Sequence, residues 1–290
     1  LYIRMIFIMG VTLFTSRVIL DKLGVTDYGL YNAVGGVVGM LEFLNGTLST
    51  GTSRFITFEL GANDKEQLIS TFSTAFYIHL FLALIMAVIL ETLGLWFVYN
   101  KLVIPPERMS AVVWCFHISI LTMVVSITQV PYTSDIIAHE NMNVYAYLGI
   151  YEALAKLFIV YLLSISPWDK LVFYAILVAL VQISVALSYR YFCKHRYLES
   201  KLKLIFKRDI FFKMLTFSGW SLIANLSEVL SKQGLVVLIN LFFQPAVVAA
   251  QAIGNQISGA MMQFINNFRT AINPQIMKLY AAEKYKESRK

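Results

Sequence analysis

Long apolar runs separated by short polar turns set the pattern of this chain. Apolar stretches cover residues 2–20, 28–60, 68–98, 109–138, 144–165, 170–192, 211–243 and 246–277. Each is near or above the ~20 residues a helix needs to cross a bilayer at about 1.5 Å rise per residue. The breaks between them are chemically distinct. Gly24 sits in the turn at 21–27, GANDKEQ fills 61–67, and Pro105-Pro106 ends a helix. Ser166-Pro167-Trp168-Asp169 and Gln244-Pro245 turn the chain again, and 193–209 is the most basic connection. The pattern predicts an all-α integral membrane protein with about eight transmembrane helices.

The stretch from Tyr28 to Glu66 has an echo. Ala33-Val34-Gly35 and Phe43-Leu44-Asn45-Gly46 return about 220 residues later as Ala252-Ile253-Gly254 and Phe264-Ile265-Asn266-Asn267. A period that long suggests a duplicated helical bundle; solenoid units run about 20–50 residues. Internal duplication is a common transporter plan. The expected organisation is a first six-helix bundle at 1–193, a basic connection at 194–210, and the first two helices of a second bundle at 211–290. The chain opens on Leu1, already apolar, and ends in a charged run after the second copy. It therefore reads as a fragment, short of a small N-terminal piece and a larger C-terminal one.

Composition supports the bilayer reading. Of the 290 residues 58% are hydrophobic and 14% charged, against about 25% charged in a soluble domain. Mean hydropathy is +0.67. The net charge of +7 does not point to nucleic acid, because the basic residues gather at span ends. With the N-terminus inside, the inner side holds most of the Lys and Arg, above all Lys194, Arg196, Lys201, Lys203, Lys207 and Arg208. The outer side holds Arg17, Lys22, Lys101, Arg108 and Lys170. By the positive-inside rule the N-terminus and the basic connection are cytoplasmic.

Polar residues inside the spans recur at helical spacing: Ser119, Thr122, Ser126, Gln129 and Thr133; Glu152 and Lys156; Ser221, Asn225, Glu228 and Lys232; Gln251, Asn255, Ser258, Asn266, Arg269 and Asn273. Steps of three and four hold each set on one face. Lipid cannot satisfy these groups, so the faces turn toward protein or water. Hydroxyls and glycines such as Gly35, Gly36 and Gly39 serve helix packing. Glu152/Lys156 and Glu228/Lys232 are each i,i+4, so either local neutralisation or ligand contact accounts for them. Glu42 and Arg269 have no opposite charge on their own helix face. Arg17 and Arg54 lie near span ends, where long side chains snorkel.

Enzyme chemistry is poorly represented. His79, His117, His139 and His195 show no metal-ligand spacing, Cys115 and Cys193 have no partner spacing, and neither G-x-S-x-G nor a P-loop occurs. Asp21, Asp27 and Asp169 read as solvated carboxylates on short turns. No enzyme activity and no cofactor are expected.

The run from Arg17 to Asn32 (RVILDKLGVTDYGLYN) resembles the first turn of bacterial polysaccharide-export flippases. These belong to the multidrug/oligosaccharidyl-lipid/polysaccharide exporter superfamily. The small-residue second span and the basic connection before span 7 are similar too. The resemblance implies a MATE-like fold of two six-helix bundles around a central cavity, here with the second bundle truncated. It implies a transporter of the bacterial cytoplasmic (inner) membrane that flips polyprenyl-diphosphate-linked oligosaccharide for cell-surface polysaccharide. Other polysaccharide-assembly membrane proteins would be neighbours. On that reading Lys232 and Arg269, with Lys156, would meet the diphosphate, and Asn225, Asn255 and Asn266 the sugar hydroxyls. A cation-coupled drug exporter of the same superfamily is the main rival, with Glu42 or Glu228 exchanging the coupling ion. A membrane-embedded sugar polymerase or ligase, and a pore, are the further alternatives.

Overall fold

In a hydrocarbon environment each backbone N–H and C=O must be paired within the protein, and a helix does this inside one segment. The computed structural model describes residues 2–39, 42–102, 104–165, 169–220, 223, 262, 265–266, 268–270 and 272–282. These are almost wholly helical, with no strand among them. Helix α1 spans Tyr2–Gly39 and α2 spans Glu42–Ala62. Helix α3 (Lys65–Ile89) continues through one π turn, Leu90–Gly94, into α4 (Leu95–Asn100). A 3-10 turn at Pro106–Arg108 leads into α5 (Met109–Ala138), followed by α6 (Met142–Ile165) and α7 (Lys170–Arg196). Residues 208–220 and 272–281 are also helical apart from the undescribed position 271 before them.

Four of these helical segments are long and apolar enough to cross a membrane: Lys65–Asn100, Pro106–Ala138, Met142–Ser164 and Lys170–Arg196. They coincide with the expected spans 3 to 6. The protein is a multi-pass membrane protein. The expected spans 7 and 8 lie mostly outside the described residues.

The expected turn at 21–27 is present, though it is sharper than a loop. A single residue, Gly24, leaves the helical region at φ 81° and ψ 165° and folds α1 into two legs. That backbone region is essentially closed to residues with a Cβ. Both legs enter the core. Ile19 and Leu23 of the first leg pack with Ile159, Leu163 and Tyr174. Leu30, Val34 and Val38 of the second pack with Met86, Leu90, Phe116 and Ile120.

Helix α5 is central and packs on α7, α2, α3 and α1. Its first half is in the cluster of Phe116, Ile120 and Met123, and its last turns are in the cluster of Ile56, Phe72, Tyr132, Ile136 and Tyr189. The outward faces are apolar as well. Phe81, Leu84 and Val88 on α3, Leu154, Phe158 and Tyr161 on α6, and Leu180, Leu187 and Tyr191 on α7 are all exposed at helical spacing. Such stripes suit lipid contact. Two ends can be distinguished: a proline end at Pro105, Gly24 and Asp169, and a basic end at Ala62, His139 and Arg196.

Candidate functional site

Two polar clefts run into this bundle. The larger, about 530 Å³, is lined by Ser119, Thr122, Ser126, Gln129 and Thr133 of α5, with Glu152 and Lys156 of α6 and Gln182 of α7. The polar stripe of α5 therefore faces inward, as its spacing predicts. Its groups bond to their own helix backbone or to one another. Ser119 and Thr122 donate back to the carbonyls of Cys115 and Ile118. Gln182 donates to Gln129 at 3.3 Å, and Gln129 to Thr133 at 3.4 Å. Lys156 Nζ meets Glu152 Oε1 at 2.6 Å. Lys156 thus enters the cleft as half of an i,i+4 ion pair with Glu152, and both residues line it.

The second cleft, about 460 Å³, lies between α2 and the later helices. Ser49, Thr50, Ser53, Arg54 and Thr57 form one wall, and Phe217, Thr270, Asn273, Pro274 and Met277 form the other. Arg54 Cζ stands 4.5 Å from the Phe217 ring centroid, a cation–π contact. No carboxylate lies within ion-pair distance of Arg54 among the described residues. Arg54 is exposed, as expected of a residue near a span end, and it also lines this cleft. The signal that marks it is the run of hydroxyls at 49, 50, 53 and 57, which puts a polar stripe around it.

Below this cleft the two parts of the chain touch at the basic end. A Cβ built on Gly61 would lie 2.7 Å from Lys278 Cα and carbonyl oxygen, and 2.8 Å from Ala281 Cβ. Only a glycine allows that approach. Glu140, in the turn after α5, accepts from Lys278 Nζ at 2.8 Å and from Gln275 Nε2 at 3.0 Å. Burial alone would push the Glu140 carboxyl up; the hydrogen bonds from Lys278 and Gln275 outweigh it and hold it below the usual range.

The proline end is held by one arginine. Arg108 Nε and Nη2 bond both oxygens of Asp27 at 2.9 and 2.6 Å, and its Nη atoms also bond Asp169. Lys170 Nζ donates to the Lys22 carbonyl at 3.1 Å. Asp27 and Asp169, expected as solvated, are the anchors of this clamp. An arginine 81 residues away from Asp27 supplies the charge, a pairing that local sequence cannot show.

Sites inferred from sequence divide by placement. Asn266 and Arg269 are exposed, and neither lines the two clefts, although Thr270 and Asn273 line the second. Glu42 begins α2, but its side chain lies outside the description. Asn225, Glu228, Lys232 and Asn255 lie outside the described residues. A polar knot that sequence reasoning missed joins α5, its following turn and the segment after α7: Asp135, His139 and Glu199, with Ser200 donating to Asp135 and Asn141 to Tyr197.

No family model and no curated protein sequence matches this chain. Solved structures do. An outward-facing multidrug resistance MATE family transporter of the MOP superfamily superposes with a TM-score of 0.79 at 16% identity, covering 99% of this chain and 65% of that one. A MOP superfamily transporter from Pyrococcus furiosus, reported with reversed binding-pocket polarity and a suggested different function, gives 0.74 at 15% over 99% and 65%. A mutant of a Vibrio cholerae MATE transporter gives 0.72 at 17%, again over 99% and 65%. The chain spans about two thirds of the length of the structures it matches, and across 99% of its own length it has the fold of the MATE transporters.

Proposed function

We propose that this chain is part of a flippase of the multidrug/oligosaccharidyl-lipid/polysaccharide exporter superfamily that carries a lipid-linked oligosaccharide across the bacterial cytoplasmic membrane. The observation that carries the reading is Arg54. It is a cation in a hydroxyl-rich cleft between the two parts of the chain, with no described carboxylate opposite it. A guanidinium is suited to a diphosphate by its fork of N–H donors. Hydroxyls and amides such as Ser49, Ser53, Thr57 and Asn273 suit sugar hydroxyls. A lipid-linked sugar needs a polar path for its head only, because its tail never leaves hydrocarbon. Lys232, outside the described residues, and Arg269, which lines neither cleft, are candidates for the anion by their place in the sequence alone. In this reading the basic end is cytoplasmic, so Lys203→Cys should resist an impermeant thiol reagent in intact cells while Lys101→Cys reacts.

The test is export in cells lacking their own flippase, using the complete protein. Arg54→Gln should abolish export at normal protein level, Arg54→Lys should retain part of it, and Glu152→Gln with Lys156→Gln should retain most. Full export by Arg54→Gln would remove the anion-contact reading. A cation-coupled drug exporter is the second reading. It is supported by Glu152, a carboxylate in the larger cleft, and by the drug-transporter function reported for a matched structure. Loss of drug resistance in Glu152→Gln, with sugar export absent throughout, would favour it.

A further inference from the structure

The knot at the foot of α5 has the composition of a metal site. His139 Nε2 lies 2.6 Å from Glu199 Oε1 and 3.7 Å from Asp135 Oδ1. One ligand atom from each of the three residues falls within 4.8 Å of the other two. Asp135 is fully buried at 0% exposure, and Glu199 is 6% exposed. Asp135 Oδ2 accepts from Ser200, but Oδ1 is buried without a hydrogen-bond partner. An unpartnered carboxylate oxygen in the interior is costly, and this one faces the imidazole.

The charge balance points the same way. No Lys or Arg lies within ion-pair distance of Asp135 or Glu199 among the described residues; the basic group there is His139. With both carboxylates ionised, the single imidazole leaves an excess of negative charge in a buried place. A divalent cation with a neutral imidazole would cancel it. We propose that Asp135, His139 and Glu199 bind a divalent transition-metal ion of the Zn²⁺ class. The mixed nitrogen and oxygen ligands favour such an ion over Ca²⁺ or Mg²⁺, which take oxygen alone.

Metal entry requires the three ligand atoms, which lie within 4.8 Å of one another, to draw in around the ion. Bonds of about 2.1 Å in a tetrahedron set ligand atoms about 3.4 Å apart. The 2.6 Å and 3.7 Å separations bracket that value. Metal entry displaces the proton shared between His139 Nε2 and Glu199 into solvent, and water completes the shell on the partly exposed side of His139. The imidazole ring is already fixed by stacking on Tyr197, 3.9 Å between centroids and 3° from parallel. The ion would tie the end of α5, the turn after it and the segment after α7 into one unit. The next residue in that turn is Glu140, which holds Lys278.

The experiment titrates the purified full-length protein with ZnCl₂ alone after chelator treatment and desalting. We expect one equivalent bound per chain and a rise in melting temperature. His139→Gln and Glu199→Gln should each weaken binding at least tenfold and abolish that rise, while His117→Ala, in an exposed pair with Glu91, should bind as the parent does. Equal binding by parent and both variants, or no stoichiometric binding, would overturn the proposal. Should a variant not fold, Co²⁺ on the parent protein decides. The strong visible absorption of a four-coordinate nitrogen–oxygen site supports it, and the weak spectrum of the hydrated ion overturns it.

Discussion

Replacing Gly61 with valine should force the two parts of the chain apart at the basic end. The first atom of any side chain there would stand 2.7 Å from Lys278 backbone atoms and 2.8 Å from Ala281 Cβ. Carbon atoms rest about 3.5–4.0 Å apart, so the gap must widen by roughly 1 Å. Backbone cannot rotate away as a flexible side chain can. Overpacking of this kind costs about 1–3 kcal/mol. At about 1.4 kcal/mol per tenfold, the touching arrangement should lose roughly 5- to 150-fold in population relative to any arrangement in which the ends separate. Spin labels on Lys65→Cys and Ala282→Cys, both exposed positions, measure this in the complete protein after the buried Cys115 and Cys193 are replaced. The parent should give a short distance, Gly61→Ala a mixture, and Gly61→Val mainly the longer one. Gly51→Ala is the internal control: its new Cβ would meet mainly the Ser218 hydroxyl at 2.9 Å, which can turn aside. A Gly61→Val distribution identical to the parent's would refute the reasoning.

Three other outcomes follow from the geometry. Gly24→Ala should lower stability by about 1–3 kcal/mol, because φ 81° with ψ 165° excludes a Cβ; an unchanged melting curve in detergent would disprove that the corner needs glycine. Arg108→Gln should cost about 1–2 kcal/mol, reduced from the value for buried charged bonds because Arg108 and Asp169 are partly exposed. Burial would raise the Asp169 carboxyl, but Arg108 and the backbone N–H groups of Val172 and Leu171 hold it below the usual range. Its stabilisation is therefore complete above the unfolded value of about 3.9 and lost as pH falls through the lower folded value; melting temperatures from pH 6 downward should show this loss in the parent and less of it in Arg108→Gln. A double-mutant cycle on Glu140→Gln and Lys278→Gln, read by the same spin-label distance, should return a coupling of about 0.5–1 kcal/mol, and a coupling of zero would exclude the pair from the joint.

Much of the fold was legible because membrane residence imposes long apolar runs. Residues 68–98, 109–138, 144–165 and 170–192 read from hydropathy match the four long apolar helices closely, and the break at Gly24 fell where the polar turn put it. The inward face of α5 was also readable, since Ser119, Thr122, Ser126, Gln129 and Thr133 share one helical face and line one cleft. Sites built across the sequence were not. Arg108 meets Asp27 and Asp169 from 81 and 61 residues away, and Glu199 meets His139 from 60. No periodicity carries such pairings; they arise when α5 packs on α1 and α7 and brings their ends together. Arg54, read as a span-end residue that snorkels, is exposed and also stands against an aromatic ring of a later helix. The contact with Phe217 joins residues 163 positions apart, which no local pattern carries.

The basic connection was expected to be a joint of seventeen or so residues between two bundles. Its first part is strapped down instead. The Lys203 N–H donates to Ser73 Oγ, the Lys207 N–H to Thr74 Oγ1, Lys207 Nζ to Gln67 Oε1, and Tyr77 to the Lys203 carbonyl. All four partners belong to α3. The strap is therefore carried by α3 as freight, and a connection tied down in this way offers little slack. Ile210 and Met214 carry the attachment further, buried against Ala75 and Ile78, so the helix that begins at 208 starts out seated on α3 as well.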